Sequence, residues 1–316
     1  MLDLKNERII VTGGAGFLGR VVCAQLQERG VKPDQIIVPR SKDYDLTVRT
    51  DVDRLYHEAK PTVVIHLAAR VGGIGANREH PGAYFYANMA MGLHLIDAAR
   101  RIGLKKFVQT GTVCAYPLNT PVPFKEEDLW NGYPEVTNAP YGVAKKALFV
   151  MLDGYRREYG LQSAVVVPVN LYGPGDNFDL HSSHVIPALI RKTESARVKN
   201  EPTMPAWGTG SASREFLYVD DCARGIIAAT ERMDEPIPIN LGTGNEITIK
   251  NLTELIARLC DYHGKIVWDP TKPDGQPRRQ LDVTRAKQLL NWQAEMPFEE
   301  GLKRTIAWWR TQGDQG

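Results

Sequence analysis

Residues 9–22, IIVTGGAGFLGRVV, run a β-branched apolar strand into Gly13, Gly16 and Gly19 and out into a helical pattern. Glycine at these positions permits a tight strand-to-helix turn. The main-chain N–H groups at the helix start can then approach a pyrophosphate, whose negative charge the helix dipole favours. At the first βα turn this spacing predicts a dinucleotide site built from Gly13, Gly16, Phe17, Leu18 and Gly19.

The rest of the first half repeats the alternation. Residues 8–12, 35–39, 62–68, 106–110 and 163–169 read as strands, and residues 19–28 and 84–100 as helices with apolar positions every three or four residues. The fold class is therefore α/β, a doubly wound parallel sheet with its ligand crevice at the carboxyl ends of the strands. After Gly173 the rhythm loosens into Pro- and Gly-bearing loops. The expected division is a dinucleotide-binding domain over residues 1–173 and a smaller, interleaved substrate lobe over 174–316. Segments near 208–240 are expected to return to the first domain.

Charge points to a small-molecule partner. The 39 Lys+Arg and 37 Asp+Glu leave a net +2, scattered rather than striped. Nucleic-acid and membrane-surface binding both need a concentrated positive field, so neither is expected. No apolar stretch approaches the roughly 18–20 residues of a bilayer span. The charged residues 1–8 lead directly into a strand without a signal-peptide pattern, giving a cytoplasmic expectation. Cys23, Cys114, Cys222 and Cys260 are far apart, so no metal site or disulfide framework is expected, and each reads as a small buried residue.

The end of the second strand selects the cofactor. NAD sites usually place an acid there for the ribose hydroxyls, whereas this chain has Pro39, Arg40, Ser41 and Lys42 before Asp43. Arg40 and Lys42 suit the 2′-phosphate of NADP; the plain alternative is an ordinary solvated loop. Asp45 and Leu46 are expected near the adenine, and Ala68 and Ala69 of HLAA along the cofactor.

Two Tyr-x-x-x-Lys pairs occur, Tyr56 with Lys60 and Tyr141 with Lys145. One helical turn places both side chains on a face, where the ammonium can lower the phenol's pKa. Tyr56–Lys60 lies in a polar segment ending at Pro61 and reads as a solvated surface helix. Tyr141–Lys145 opens a long amphipathic helix after the hydroxyl-bearing segment QTGTVCAYP, which supplies Thr112. Thr112 would bond a substrate oxygen, Tyr141 move its proton, and Lys145 also hold the nicotinamide ribose. This is the relay that accompanies hydride transfer at a carbon–oxygen bond. The bland alternative is a capping Thr and a packed Tyr. Asp220 and Asp221 in YVDD read as a cap for the helix that follows.

GGAGFLG, HLAA, Thr112 and YGVAK together resemble the extended short-chain dehydrogenase/reductase superfamily, Rossmann-type enzymes that work largely on nucleotide sugars. AARVGGIGAN, GTVCAYP, TNAPYGVAK, VNLYGPGDNFD, SSHVIPALIRK, WGTGSASREFLYVDD and KPDGQPRR are similar, in order, to its GDP-fucose synthase branch. That branch comprises NADPH-dependent 3,5-epimerase/4-reductases acting on GDP-4-keto-6-deoxy-D-mannose. The resemblance implies Cys114 as base and His184 as acid on opposite faces of the sugar, with His184 also beside the cofactor. It implies Arg214 on the diphosphate, Trp207 near guanine or ribose, and Asn170 near diphosphate or sugar, with Lys192 and Lys272 as further contacts. A homodimer through the Tyr141 helix is also implied. On the residues alone, Cys114 reads better as an inert buried thiol, and His184 reads as well as a solvated helix-start histidine, with His181 a neighbour outside the motif. The chain departs from many members at Thr112, where a Ser is common, at Lys192, where some carry Arg, and in a glycine loop without Arg. Alternatives are an NAD-retaining 4-epimerase or dehydratase on another nucleotide sugar, and a cofactor-sensing module without catalysis.

Overall fold

Short β-branched runs between polar turns become strands buried on both faces. The computed structural model describes residues 1–72, 74–180, 182–272 and 274–312. Its first half alternates β1 (Ile9–Thr12), α1 (Phe17–Glu28), β2 (Ile36–Ile37), α2 (Arg49–Ala59), β3 (Val63–His66), α3 (Ile74–Glu79), α4 (Pro81–Arg101), β4 (Lys106–Thr110), α5 (Ala139–Tyr159) and β5 (Ser163–Pro168). The second half continues with β6 (Asn170–Tyr172), α6 (Val185–Val198), β7 (Thr203–Trp207), β8 (Ser213–Tyr218), α7 (Val219–Arg232), β9 (Pro238–Leu241), β10 (Glu246–Thr248), α8 (Ile249–Leu259), β11 (Lys265–Asp269), α9 (Thr284–Leu290) and α10 (Phe298–Gln312).

The main sheet has the order β2-β1-β3-β4-β5-β9, every neighbouring pair parallel. Ile9, Ile10 and Val11 are buried against Val63, Val64 and Ile65. The chain steps from β1 out to β2 and then back to β3, so strand direction of travel reverses there and a crevice opens at the carboxyl ends of β1 and β3. The fold is thus the expected doubly wound α/β arrangement. α7 packs on α1, and β9 extends the sheet beyond β5. β6, β8 and β10 form a second sheet, β7 and β11 a third. Beside these a second core gathers Tyr172, Ile186, Leu252, Ile256, Leu302 and Ile306.

Two expected strands are shorter than their apolar runs. Residues 35–39 pair only at Ile36 and Ile37, an edge with β1 as its single neighbour, and Pro39 has no N–H to extend it. Residues 62–68 leave the ladder after His66, where Thr12 Oγ1 bonds His66 Nδ1 at 2.8 Å and accepts the Ala68 N–H at 3.2 Å. This side chain draws the strand end toward the glycine turn.

The reading of Tyr56–Lys60 as a solvated helix is corrected. Val52, Leu55, Tyr56 and Ala59 form a helical stripe buried in the core; Tyr56 is 3% exposed and donates to the Leu95 carbonyl of α4 at 2.9 Å. Lys60 lies beyond the helix in a left-handed C-cap, exposed. Asp220 and Asp221 lie at the positive end of α7 as expected, but neither caps it by a side-chain hydrogen bond. The N-cap of α7 is Tyr218, without a side-chain cap, and both acids lie in the first turn. Buried Asp221 instead accepts the Glu295 and Met296 N–H groups at 3.0 and 2.9 Å, anchoring the approach to α10. Cys222 and Cys260 are buried as expected, whereas Cys23 and Cys114 keep partial exposure. Among the described residues no helix is long and apolar enough to cross a membrane.

Buried Glu215 on β8 ties the second sheet to its surroundings. Its carboxylate accepts the N–H groups of Thr243, Gly244 and Leu281 at 2.5, 2.7 and 2.6 Å. Glu215→Gln keeps the shape but turns a donor-bearing amide toward three donors. It should destabilise the protein by about 2–3 kcal/mol in urea unfolding, and an unchanged midpoint would contradict this role.

Candidate active site

The glycine turn has the shape a pyrophosphate requires. Gly13 has φ +71°, and a Cβ there would lie 2.9 Å from the Ala68 nitrogen; at Gly19 it would stand 2.1 Å from the Gly13 oxygen. Gly14, which the spacing argument passed over, is equally constrained: its Cβ would meet Val38 at 2.7 Å. The doubled glycine in TGG was the available signal. Gly16 is the N-cap of α1 and offers no side chain to it, so the N–H groups of Phe17 and Leu18 carry no hydrogen bond among the described residues. They are open to an anion.

Arg40 lies exposed just past β2, and neither it nor Lys42 has a side-chain partner among the described residues. Ala68 and Ala69 follow β3 with partial exposure, next to the loop. Asp45 folds back on Thr47, accepting its N–H at 2.9 Å and its hydroxyl at 2.7 Å, and Leu46 is buried in the main core.

Tyr141 and Lys145 lie on the first turns of α5, which approaches the turn at Val113–Ala115 closely. A Cβ on Gly142 would stand 2.4 Å from the Cys114 oxygen, so only glycine admits this contact. Thr112 starts that turn, its hydroxyl accepting the Cys114 N–H at 3.2 Å and also lying against the Tyr141 phenol. Burial, followed by the charge of Cys114, raises the Tyr141 pKa, and Thr112 works the other way. The expected lowering by Lys145 is not found: the pair shares a helix face without a hydrogen bond, and removal of water from the phenol dominates.

Lys145 is 1% exposed and has no hydrogen-bond or ion-pair partner among the described residues; burial drops its pKa to about 8. Buried His66 is held well below the usual histidine range by burial and by the Lys145 charge, and its Nε2 is unpaired. A buried, partnerless ammonium is costly. Ribose hydroxyls laid along this crevice would satisfy it, so the residues fit a nicotinamide dinucleotide.

The opposite side comes from the second half of the chain. Arg214 on β8 donates to the carbonyls of Ser213 and Gln276 at 2.7 and 2.6 Å and of Asp274 at 3.2 Å. Burial and the neighbouring Arg279 charge lower its pKa to about 10. Arg279, 8% exposed, reaches Cys114 Sγ at 3.8 Å. Neither guanidinium has a carboxylate within ion-pair distance among the described residues. Arg279 was missed because it carried no spacing motif, although the paired Arg of KPDGQPRR was visible.

Trp207 is 62% exposed on β7, with the ammonium groups of Lys192 and Lys272 at 5.1 and 5.7 Å from its ring centre. Trp207, expected near guanine or ribose, is thus brought together with Lys192 and Lys272, the two further contacts. Asn170 commits its amide N–H to the Glu215 carbonyl at 3.1 Å, leaving its oxygen for a ligand. His184 is the N-cap of α6, and its imidazole has no partner among the described residues. The ring keeps access to solvent, while the protein around it lowers its pKa by burial. His181 lies outside the described residues.

A glycine turn fitted to a pyrophosphate, with a tyrosine and an unpaired buried lysine at the carboxyl edge of a parallel sheet, defines the class of nicotinamide-dinucleotide-dependent enzymes. Within that class, the chain belongs to the NAD dependent epimerase/dehydratase family, whose model matches residues 9–242. It is 38% identical to the GDP-L-fucose synthase of Escherichia coli (strain K12), over 99% of both chains. A GDP-L-fucose synthetase from Naegleria fowleri bound to NADP superposes with a TM-score of 0.89 at 27% identity, over 99% of this chain and 96% of that one. A GDP-6-OMe-4-keto-L-xylo-heptose reductase from C. jejuni gives 0.90 at 27% identity, over 98% and 99%.

The Lys145 pKa carries a sign. Because the folded state depresses it to about 8, the unfolded chain binds more protons from there up to the ordinary lysine range, and stability rises with pH across that window. At pH 7 the buried charge costs on the order of 3 kcal/mol. Lys145→Met should therefore stabilise the ligand-free protein at pH 7 by about 1–3 kcal/mol in urea unfolding, a gain that shrinks as pH rises through about 8 and beyond. A variant less stable than its parent at pH 7 would refute the assignment.

Proposed function

We propose that this enzyme converts GDP-4-keto-6-deoxy-D-mannose to GDP-L-fucose by 3,5-epimerisation and NADPH-dependent reduction of the 4-keto group. The observation that carries the reading is the convergence of Thr112, Cys114, Tyr141, Arg214 and Arg279 on one turn beside the dinucleotide crevice. The match to named GDP-L-fucose synthases over nearly the full chain supports the choice of sugar. The NADP-bound neighbour and the unpaired Arg40 at the end of β2 support NADPH over NADH.

Epimerisation inverts a carbon beside a ketone. Cys114 removes the C3 or C5 proton as a thiolate, the bonding pair moves onto the 4-keto oxygen, and His184 returns a proton to the opposite face. Thr112 and Tyr141 bond that oxygen while it carries the extra charge. NADPH, when bound, supplies the hydride to C4. Tyr141 then gives its proton to O4; its raised pKa keeps the phenol protonated at neutral pH and ready to donate. Lys145 holds the ribose hydroxyls and compensates charge near the phenol. Arg214, with no carboxylate within ion-pair distance among the described residues, meets the diphosphate, and Trp207 meets the nucleoside end with Lys192 and Lys272 beside its ring.

The proposal extends to assembly and address. The outer faces of α4 and α5 expose Phe85, Tyr86, Leu93 and Val150, and a second copy covering them makes a homodimer. Four free cysteines, a catalytic thiol among them, suit the reducing cytoplasm. A second reading, reduction of a GDP-4-keto-heptose without epimerisation, is favoured by the likeness to the C. jejuni reductase.

Tyr141→Phe should lower kcat for reduction about 100-fold or more with substrate KM nearly unchanged. Cys114→Ser and His184→Asn should release an unepimerised 4-reduction product, identified by NMR. Fucose at the normal rate from the double variant would remove the epimerase assignment. Arg40→Ala should raise the KM for NADPH about tenfold and leave that for NADH alone; equal effects on both would show that Arg40 does not read the 2′-phosphate.

A further inference from the structure

We infer that Arg279 is the positioning residue that holds Cys114 as a thiolate. This deepens the proposed function and rests on it for the use made of that sulfur. Arg279 Nη1 points at Cys114 Sγ, 3.8 Å away, and the remaining contacts of the guanidinium are to the neutral Gln276 Oε1, at 3.3 Å from Nε and 3.0 Å from Nη2. The side chain is buried, with no carboxylate in ion-pair distance among the described residues. A buried cation of this kind calls for an anion, and the sulfur is the group within reach that can become one.

The surroundings reinforce this assignment. Arg214 reaches from β8 to the carbonyl of the same Gln276, and its charge interacts with Arg279, with Asp274 and with Cys114. From α5, Tyr141 faces the sulfur as a neutral phenol. The Cys114 backbone is fixed by the Thr112 hydroxyl and by the close approach of Gly142, so the sulfur is held opposite the guanidinium. The sulfur thus lies against one buried guanidinium, which has no carboxylate within ion-pair distance among the described residues, and near a second, whose charge Asp274 partly offsets.

The step balances without another reactant. The thiol first gives its proton to solvent. The thiolate then takes the proton from C3 or C5, forming S–H as C–H breaks, and the electron pair moves onto the ketone oxygen. His184 supplies a proton to the opposite face, and exchange with solvent resets both groups.

The test is iodoacetamide alkylation of Cys114 in the ligand-free protein, followed by peptide mass spectrometry from pH 6 to pH 10, with solvent-deuterium incorporation at C3 and C5 of the substrate measured alongside. In the parent, Cys114 should be alkylated at pH 7 at least about tenfold faster than Cys23, whose thiol burial pushes up to about 11. Arg279→Gln should slow alkylation at pH 7 by about five- to twentyfold, with the rates converging near pH 10, and should lower kcat for deuterium incorporation more than it raises KM. Arg279→Lys, which keeps the charge, should restore most of both. An alkylation profile unchanged in Arg279→Gln would overturn the inference, as would a rise in substrate KM alone, which would make Arg279 a diphosphate ligand. Should Arg279→Gln fail to fold, parent Cys114 reacting no faster than Cys23 would overturn it equally. A parent that passes the alkylation test yet incorporates no deuterium would leave the Arg279–Cys114 contact standing and reject the epimerase reading instead.

Discussion

The close approach of α5 to the turn at Val113–Ala115 is the contact on which the rest of the site depends. Gly142 lets the helix backbone come so near the Cys114 carbonyl that any Cβ would collide with it. Tyr141 is consequently pressed against Thr112, Cys114 is presented from the same turn, and Lys145 is driven one helical turn deeper into the crevice. One glycine thereby sets the spacing of four functional groups contributed by two elements. The sheet beneath supplies the rigid platform, because β4 and β5 pair in parallel register just below that turn.

The electrostatics of the ligand-free protein are deliberately incomplete in the same place. Lys145, Arg214 and Arg279 are buried or largely buried with no carboxylate within ion-pair distance among the described residues, and the Phe17 and Leu18 N–H groups lack acceptors there. Elsewhere buried charges are met by ions or by hydrogen bonds: Glu194 by Arg197 and Arg310, Asp221 by Arg224, Glu215 by three backbone N–H groups. The contrast supports the proposed placement of the ligands in this crevice. A dinucleotide and a nucleotide sugar bring the pyrophosphates and hydroxyls that the crevice lacks, so stability given up in the empty site is recovered on binding.

Much of this was legible in the sequence because it rests on local rules. The glycine turn, the alternating strands and the Tyr141–Lys145 spacing each follow from backbone geometry over fewer than ten residues. Tyr56–Lys60 obeys the same spacing, yet the stripe of Val52, Leu55 and Ala59 turns Tyr56 into the core; weighing the whole helix rather than the pair would have revealed it. The direction of the Tyr141 pKa was not legible, since it depends on water removed by elements distant in the chain. Arg279 reaches Cys114 across 165 residues, and no spacing rule spans that separation. The ends of β2 and β3 were set by an edge position and by the Thr12 hydroxyl, both tertiary facts.

The central claim is that one crevice inverts two carbons and reduces a third. It is tested most directly by incubating the protein with GDP-4-keto-6-deoxy-D-mannose and NADPH in deuterium oxide and reading the product by NMR. The account predicts GDP-L-fucose carrying deuterium at both C3 and C5, with one NADPH oxidised for each sugar formed. A 4-reduced sugar with hydrogen retained at both positions, or turnover without net NADPH oxidation, would contradict it.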